Sequence, residues 1–223
     1  MFLEAPREQL QEVYVSESFL EKCSCREHLE EVGYEVVSDS VFSKISDTCT
    51  PQGVLCVLKQ FHYNIEEMLR DKAPLFLLLE NIQDPGNLGT MLRTGEGAGV
   101  SGIIMSRDTV DLYNPKVIRS TMGSIYRVPF YYAEDFAAAV HQVQQAGVSV
   151  YAAHLRGKNS YACQDYTKGT AFLIGNEGNG LREETAELAD CYIRIPMEGK
   201  VESLNAAVAS SILMYEAHRQ RAI

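Results

Sequence analysis

Three short stretches combine side chains able to do chemistry with a backbone able to approach a ligand closely. The first, Glu80-Asn-Ile-Gln-Asp-Pro-Gly-Asn87-Leu-Gly-Thr-Met-Leu-Arg93-Thr, follows the apolar run Leu75–Leu79. Its Pro85-Gly86 turn predicts a helix starting at Asn87, whose amide would cap free backbone N–H groups. Arg93 lies close to two helical turns further on, so it shares a side of the helix with Asn87, and a phosphate or ribose could bridge them. The plainer reading is a surface pair between Arg93 and Glu96. The second stretch, Phe172-Leu-Ile-Gly175-Asn176-Glu177-Gly178-Asn179-Gly180-Leu181, is rich in glycine directly after an apolar strand, which lets backbone amides donate to a ligand. Its plainer reading is a sharp turn in which Glu177 caps the next helix. The third, Ile195-Pro-Met197-Glu-Gly-Lys-Val-Glu-Ser203-Leu204-Asn205, leads into a helix where Leu204, Val208 and Ile212 recur every fourth residue. Taken alone, Ser203 reads there as an N-cap and Asn205 as a solvent-facing residue of the first turn.

Other chemistries lack their patterns. Gly97-Ala-Gly99-Val-Ser-Gly102 matches the dinucleotide fingerprint G-x-G-x-x-G, but it ends a helix and enters a strand, the reverse of the required context. It reads as a helix C-cap. No G-x-x-x-x-G-K-[ST] phosphate loop occurs. The cysteines Cys23, Cys25, Cys49, Cys56, Cys163 and Cys191 are scattered without paired C-x-x-C units or neighbouring histidines, so no metal is expected.

The elements that must position these stretches alternate. After a break at Arg70-Asp71-Lys72-Ala73-Pro74, strand candidates at 75–79, 102–106, 149–154, 171–175 and 192–196 are separated by helical segments at 87–97, 134–146 and 181–188. Such alternation predicts an α/β fold, a parallel sheet with helices on both faces, and ligands in these sheets bind beyond the carboxyl ends of the strands. Before the break, a strand at 12–16, a helix at 17–32, a strand at 34–37 and a strand at 54–58 predict a small separate domain. The boundaries expected are therefore 1–72 and 73–223.

The formal charge of −10 argues against an indiscriminate nucleic-acid binder. Most of that charge is N-terminal: residues 1–72 carry 7 basic and 14 acidic side chains, whereas residues 73–223 carry 13 and 16. A local basic patch drawn from Arg93, Arg107, Lys116, Arg119 and Arg127 is compatible with an RNA partner. No apolar run approaches a membrane span and the N-terminus has no signal pattern, so a cytoplasmic protein is expected.

In this order, the three stretches closely resemble the three signature motifs of the SpoU (TrmH-like) family within the SPOUT methyltransferases. Asn87 and Arg93 fall on the first motif, Gly175-Asn-Glu177-Gly on the second, and Ile195-Pro-Met with Ser203-Leu-Asn205 on the third. Lys116-Val-Ile-Arg119-Ser-Thr-Met-Gly123 is similar to a family segment between the first and second, and Ile45-Ser-Asp-Thr-Cys-Thr-Pro-Gln-Gly53 to the end of the family's RNA-binding domain.

The resemblance implies methylation of an RNA ribose 2'-hydroxyl, with S-adenosyl-L-methionine as methyl donor, no metal, a C-terminal trefoil knot and an active site shared across a homodimer. It implies that Gly175, Asn176, Gly178, Ile195, Met197 and Leu204 hold the donor. Arg93 would activate the hydroxyl, while Asn87, Glu177, Ser203 and Asn205 position the reactants. Ribosomal RNA is the expected substrate ahead of transfer RNA, because an N-terminal domain is commoner in members acting there. That domain is expected to be shortened relative to the family's. The alternative is a noncatalytic RNA-binding or assembly protein that keeps the fold.

Overall fold

In the computed structural model, which describes residues 1–46 and 48–222, Val13 and Val15 face one side of β1 (Leu10–Ser16) and are buried against Leu29. Asp47, within the stretch 45–53, and Ile223 lie outside the described residues. The chain forms two compact units that divide between Phe61 and His62.

In the first unit, Ser16 caps α1 (Glu17–Lys22) by accepting from the Phe19 amide at 3.2 Å. Next come α2 (Arg26–Val32), β2 (Glu35–Val37), α3 (Asp39–Ile45) and β3 (Val54–Leu58). β1 is central, parallel to β2 and antiparallel to β3. The single helix expected over 17–32 is broken at Cys23-Ser24-Cys25. Cysteine and serine are weak helix formers, and Cys23 adopts an extended conformation, its thiol donating back to the Leu20 carbonyl.

The second unit opens with α4 (Ile65–Met68), whose Ile65 and Met68 are buried in its core. Those contacts place the division at 61/62, upstream of the proline-marked break expected near residue 73. There follow β4 (Leu75–Leu79), α5 (Pro85–Ala98), β5 (Gly102–Ser106), α6 (Pro115–Thr121), β6 (Phe130–Ala133), α7 (Phe136–Gln145), β7 (Ser149–Ala153), β8 (Asn159–Ser160), β9 (Thr170–Ile174), α8 (Glu183–Ala186), β10 (Cys191–Arg194) and α9 (Ala206–Arg221). The seven strands lie in the order β6-β5-β4-β9-β7-β10-β8, and every pairing is parallel.

Every side chain of β4, β5 and β9 is buried, as a sheet covered on both faces requires. Phe76, Leu78, Ile104, Val150 and Leu173 share a core with Val140 and Val143 of α7. Leu88, Met91 and Leu92 of α5, with Leu213 and Met214 of α9, are buried as the second helical layer. α5 ends at Gly99, left-handed at φ 77°, the C-cap expected there. The helix expected over 181–188 shortens to α8. The buried stripe of α9 is Ala206, Ala207, Ser210, Leu213, Met214 and Ala217. The Leu204, Val208, Ile212 repeat is not its core face, since Leu204 precedes the helix and Val208 is 48% exposed. The end of α9 is pinned below the sheet, where the Arg221 guanidinium donates to the carbonyls of Tyr166, Ala73, Lys168 and Pro74 at 2.8, 2.8, 2.6 and 3.3 Å.

Candidate active site

The three stretches leave the sheet at the carboxyl ends of β4, β9 and β10, parallel strands with only β7 between the last two, so their loops open on the same edge. Proline at the first helical position sets the start of α5, so the N-cap is Asp84 and not Asn87 as expected. The Asp84 carboxylate accepts from the Asn87 amide at 2.8 Å. Asn87 therefore sits inside the first turn with its side chain free for other partners. Its Nδ2 donates to Glu177 Oε1 at 2.9 Å, and its Oδ1 accepts from Asn205 Nδ2 at 3.0 Å. One hydrogen-bonded chain, Glu177–Asn87–Asn205, thus joins all three loops.

Glu177 does not cap the helix that follows it. Its carboxylate instead accepts the backbone N–H groups of Gln83 at 3.1 Å and Asp84 at 3.0 Å, across the loop at the start of α5. Partial burial pushes its pKa up, but the Asn87 amide and these N–H donors outweigh burial and hold the carboxyl below the usual glutamate range. Asn205, expected to face solvent, is the N-cap of α9, accepting from Ala207 and Val208 amides at 2.9 and 3.2 Å. Ser203 is two residues short of that position.

The glycine-rich loop closes on itself, Asn176 and Gly180 exchanging backbone hydrogen bonds at 3.0 and 2.9 Å. A Cβ on Gly175 would lie 2.2 Å from Gly180 C and Leu181 N, so only glycine fits. Below it, Glu80 is 2% exposed. It accepts from the Arg182 amide at 2.8 Å and from the Thr185 hydroxyl, fixing the exit of the loop, while Arg182 also pairs with Asp108.

These loops enclose a cavity of about 280 Å³ walled by Gly175, Asn176, Glu177, Gly178, Ile195, Met197, Ser203 and Leu204. Asn87 and Asn205 are not in the wall: Asn87 is bound to Glu177, and Asn205 to Asn87. Arg93 is not part of the wall. It is exposed on α5 and has no ion or hydrogen-bond partner among the described residues, because Glu96 is taken by Arg127. That contact, with a hydrogen bond from Ser124, holds the Glu96 carboxyl below its usual pKa. Sequence reasoning missed Ala153, His154 and Leu155, which complete the cavity from the end of β7. Burial first, then the Arg156 charge, lowers the His154 pKa and favours the neutral ring. Glu80 was also missed; a carboxylate directly after five buried apolar residues was the available signal.

The cavity suits a nucleoside bearing a short charged tail. Leu155, Ile195, Met197 and Leu204 offer apolar walls to a base, Ser203 offers a hydroxyl to a ribose, and the backbone at Gly175 approaches without a Cβ.

Residues 74–215 match the SpoU rRNA Methylase family model. The chain is 35% identical over 180 residues to the 23S rRNA (guanosine(2553)-2'-O)-methyltransferase RlmP of Bacillus subtilis, covering 81% of this chain and 70% of that protein. It is 32% identical over 222 residues to the 23S rRNA (guanosine-2'-O-)-methyltransferase RlmB of Bordetella pertussis, covering 96% and 91%. The SpoU methyltransferase AviRb from Streptomyces viridochromogenes, solved in complex with AdoMet, superposes with a TM-score of 0.85 at 26% identity, covering 96% of this chain and 83% of that one.

Proposed function

The chain belongs to the SpoU rRNA methylase family, and on that premise we propose that it methylates a ribose 2'-hydroxyl of ribosomal RNA, with S-adenosylmethionine bound in the cavity beyond β9 and β10. The observation that carries this onto the chain's own residues is the Glu177–Asn87–Asn205 chain, which links the three loops around one cavity.

Bound there, S-adenosylmethionine supplies an electrophilic methyl group on a sulfonium. Gly175, Asn176, Gly178, Ile195, Met197 and Leu204 hold it, the backbone of the glycine loop serving as donor and acceptor. Glu177 is a positioning residue: its oxygens are occupied by N–H donors and its lowered pKa makes it a poor base. Asn87 and Asn205 transmit that position to α5 and α9, and Ser203 faces the cavity. Arg93, lacking a carboxylate partner among the described residues, is available to the acceptor. Its guanidinium would hold the ribose oxygen in line with the donor's methyl group and stabilise the negative charge that develops there as the hydroxyl proton passes to solvent water.

Arg93 stands outside the cavity wall, which favours a homodimer in which it reaches the cavity of the partner subunit. The exposed stripe Gly86, Thr90, Arg93 and Gly97 of α5 supports this, since α5 packs on α9 and a Cβ on Gly97 would lie 3.0 Å from the hydroxyl of the exposed Tyr215, leaving small residues for close backbone approach beside an apolar rim. The C-terminal segment forms the trefoil knot; supporting this, β10 lies beyond β7 while α9 returns to pack on α5 and β9. The N-terminal unit serves RNA capture, and the setting is the cytoplasm.

Calorimetric titration of the full chain with S-adenosylmethionine tests the assignment. One donor bound per subunit, lost in Leu204→Arg, is expected. With labelled donor and unmodified 23S ribosomal RNA, methyl transfer is expected to vanish in Arg93→Ala while donor affinity persists. A folded parent that binds no donor refutes the reading, and donor binding without transfer to any ribosomal RNA leaves the noncatalytic alternative.

A further inference from the structure

Five cations between residues 93 and 127 were candidates for RNA contact, and the fold divides them. Arg107 is paired with Glu134 and Arg127 with Glu96, whereas Lys116 and Arg119 have no ion or hydrogen-bond partner for their side chains among the described residues. In a chain of net charge −10, they form an adjacent pair of cations with no carboxylate partner among the described residues.

They lie three residues apart on α6, both exposed, while Val117 and Thr121 of the same helix are fully buried. α6 is seated tightly on α5. A Cβ on Gly89 would lie 1.7 Å from Ser120 Oγ and 2.9 Å from the Val117 carbonyl, and Ser120 Oγ, which donates to Val117 O at 2.8 Å, lies 3.3 Å from the Pro85 carbonyl. Pro85 opens the same helix turn that carries Asn87, so the two cations are held rigidly beside the active-site end of α5. One turn beyond Arg119, Met122 adopts a left-handed conformation at φ 52° and its side chain is 59% exposed. A C-cap of this kind normally takes glycine. Here a strained backbone keeps a polarisable apolar side chain in water next to two cations, and strain of that sort collects at functional surfaces.

We propose that α6 is a binding track for the RNA strand flanking the methylated nucleotide, with Lys116 and Arg119 neutralising phosphates and Met122 resting against a nucleobase. The inference rests on the RNA methylation reading and extends it to substrate recognition. Phosphate contacts plus contact with a base face is how single-stranded or splayed RNA is held without a sequence code, and a thioether is a favourable neighbour for an aromatic ring. Charge complementarity favours a polyanion over a second copy of this acidic chain.

The test uses the full chain and a fluorescent polyuridine oligonucleotide, with Kd measured between about 50 and 200 mM KCl. Each phosphate contact on a single strand contributes about 0.7 to the slope of log K against log salt, so the Lys116→Ala, Arg119→Ala double variant is expected to lose about 1.4 from the slope. With the electrostatic contribution vanishing near about 1 M salt, that slope means a Kd about 60-fold higher at the low-salt end and about tenfold higher at the high-salt end. Met122→Gly is expected to weaken binding with an unchanged slope and a Tm equal to or above the parent's, a combination that a merely structural role does not give. All variants are expected to bind S-adenosylmethionine as the parent does. An unchanged salt slope in the double variant, or a parent that does not bind the oligonucleotide, overturns the proposal. So does a Met122→Gly variant that alters the monomer–dimer balance and leaves RNA affinity intact, which assigns the surface to a second subunit. Failure of donor binding in the parent would instead strike the methyltransferase reading itself.

Discussion

Replacing Gly175 by alanine tests whether the glycine-rich loop is shaped for a ligand. The added Cβ would stand 2.2 Å from Gly180 C and Leu181 N and 2.4 Å from Gly180 O, all backbone atoms that cannot rotate away. Ordinary carbon contacts need about 3.5 Å, so the two sides of the loop must part by more than about 1 Å. That opening breaks the reciprocal Asn176–Gly180 backbone pair. Two hydrogen bonds at about 1 kcal/mol each, with about 1 kcal/mol or more of residual strain, give a cost of about 3 kcal/mol. If donor binding requires the closed loop, its Kd rises on the order of a hundredfold. Gly178→Ala is the matched control for the fold, because its Cβ would meet only Asn176 Oδ1, at an ordinary 3.5 Å, and its melt should match the parent's. Calorimetric titration with S-adenosylmethionine, alongside circular-dichroism melts to establish folding, reads both variants. A folded Gly175→Ala protein that binds donor within a few-fold of the parent, or a Gly178→Ala protein destabilised as much as Gly175→Ala, would refute the reasoning.

Two further outcomes follow from the same geometry. Arg221→Ala removes the donor from four carbonyls at the lower end of the sheet and is expected to destabilise the second unit by about 3 kcal/mol in urea unfolding. Arg221→Lys should restore only part of this, since an ammonium cannot span the fork, and full recovery would contradict the account. Glu177 has a lowered pKa, so its clamp stabilises the fold fully above the ordinary glutamate range, about pH 4.3 when unfolded, and that contribution is lost as pH falls through the lower folded value. The difference in Tm between parent and Glu177→Gln should therefore be constant near neutrality and shrink in acid; a difference that widens in acid would show the sign to be wrong.

Much of the second unit was written locally. Leu75–Leu79, Gly102–Ser106 and Thr170–Ile174 are strands buried on both faces because a short unbroken apolar run can satisfy its backbone and bury all its side chains only inside a covered parallel sheet. Gly97 to Gly102 ended a helix as its context required, and the three stretches rich in Asn, Gly and Glu lay at strand ends. The sequence by itself therefore determined the fold class, the family and which loops to watch.

The tertiary structure decided what those loops do. The partner of Asn87 is 90 residues away in Glu177 and that of Asn205 is 118 residues away in Asn87, pairings that no local pattern encodes. Arg93 and Glu96 look like a surface pair on their own helix, yet Arg127, 31 residues on, takes the carboxylate and leaves Arg93 open. His154 carries no motif and enters the cavity wall because β7 lies between β9 and β10. Periodicity reports which face of an element is buried, a property of a few consecutive residues. Which buried faces meet is fixed by strand order and packing over the whole chain, and the site exists only where they meet.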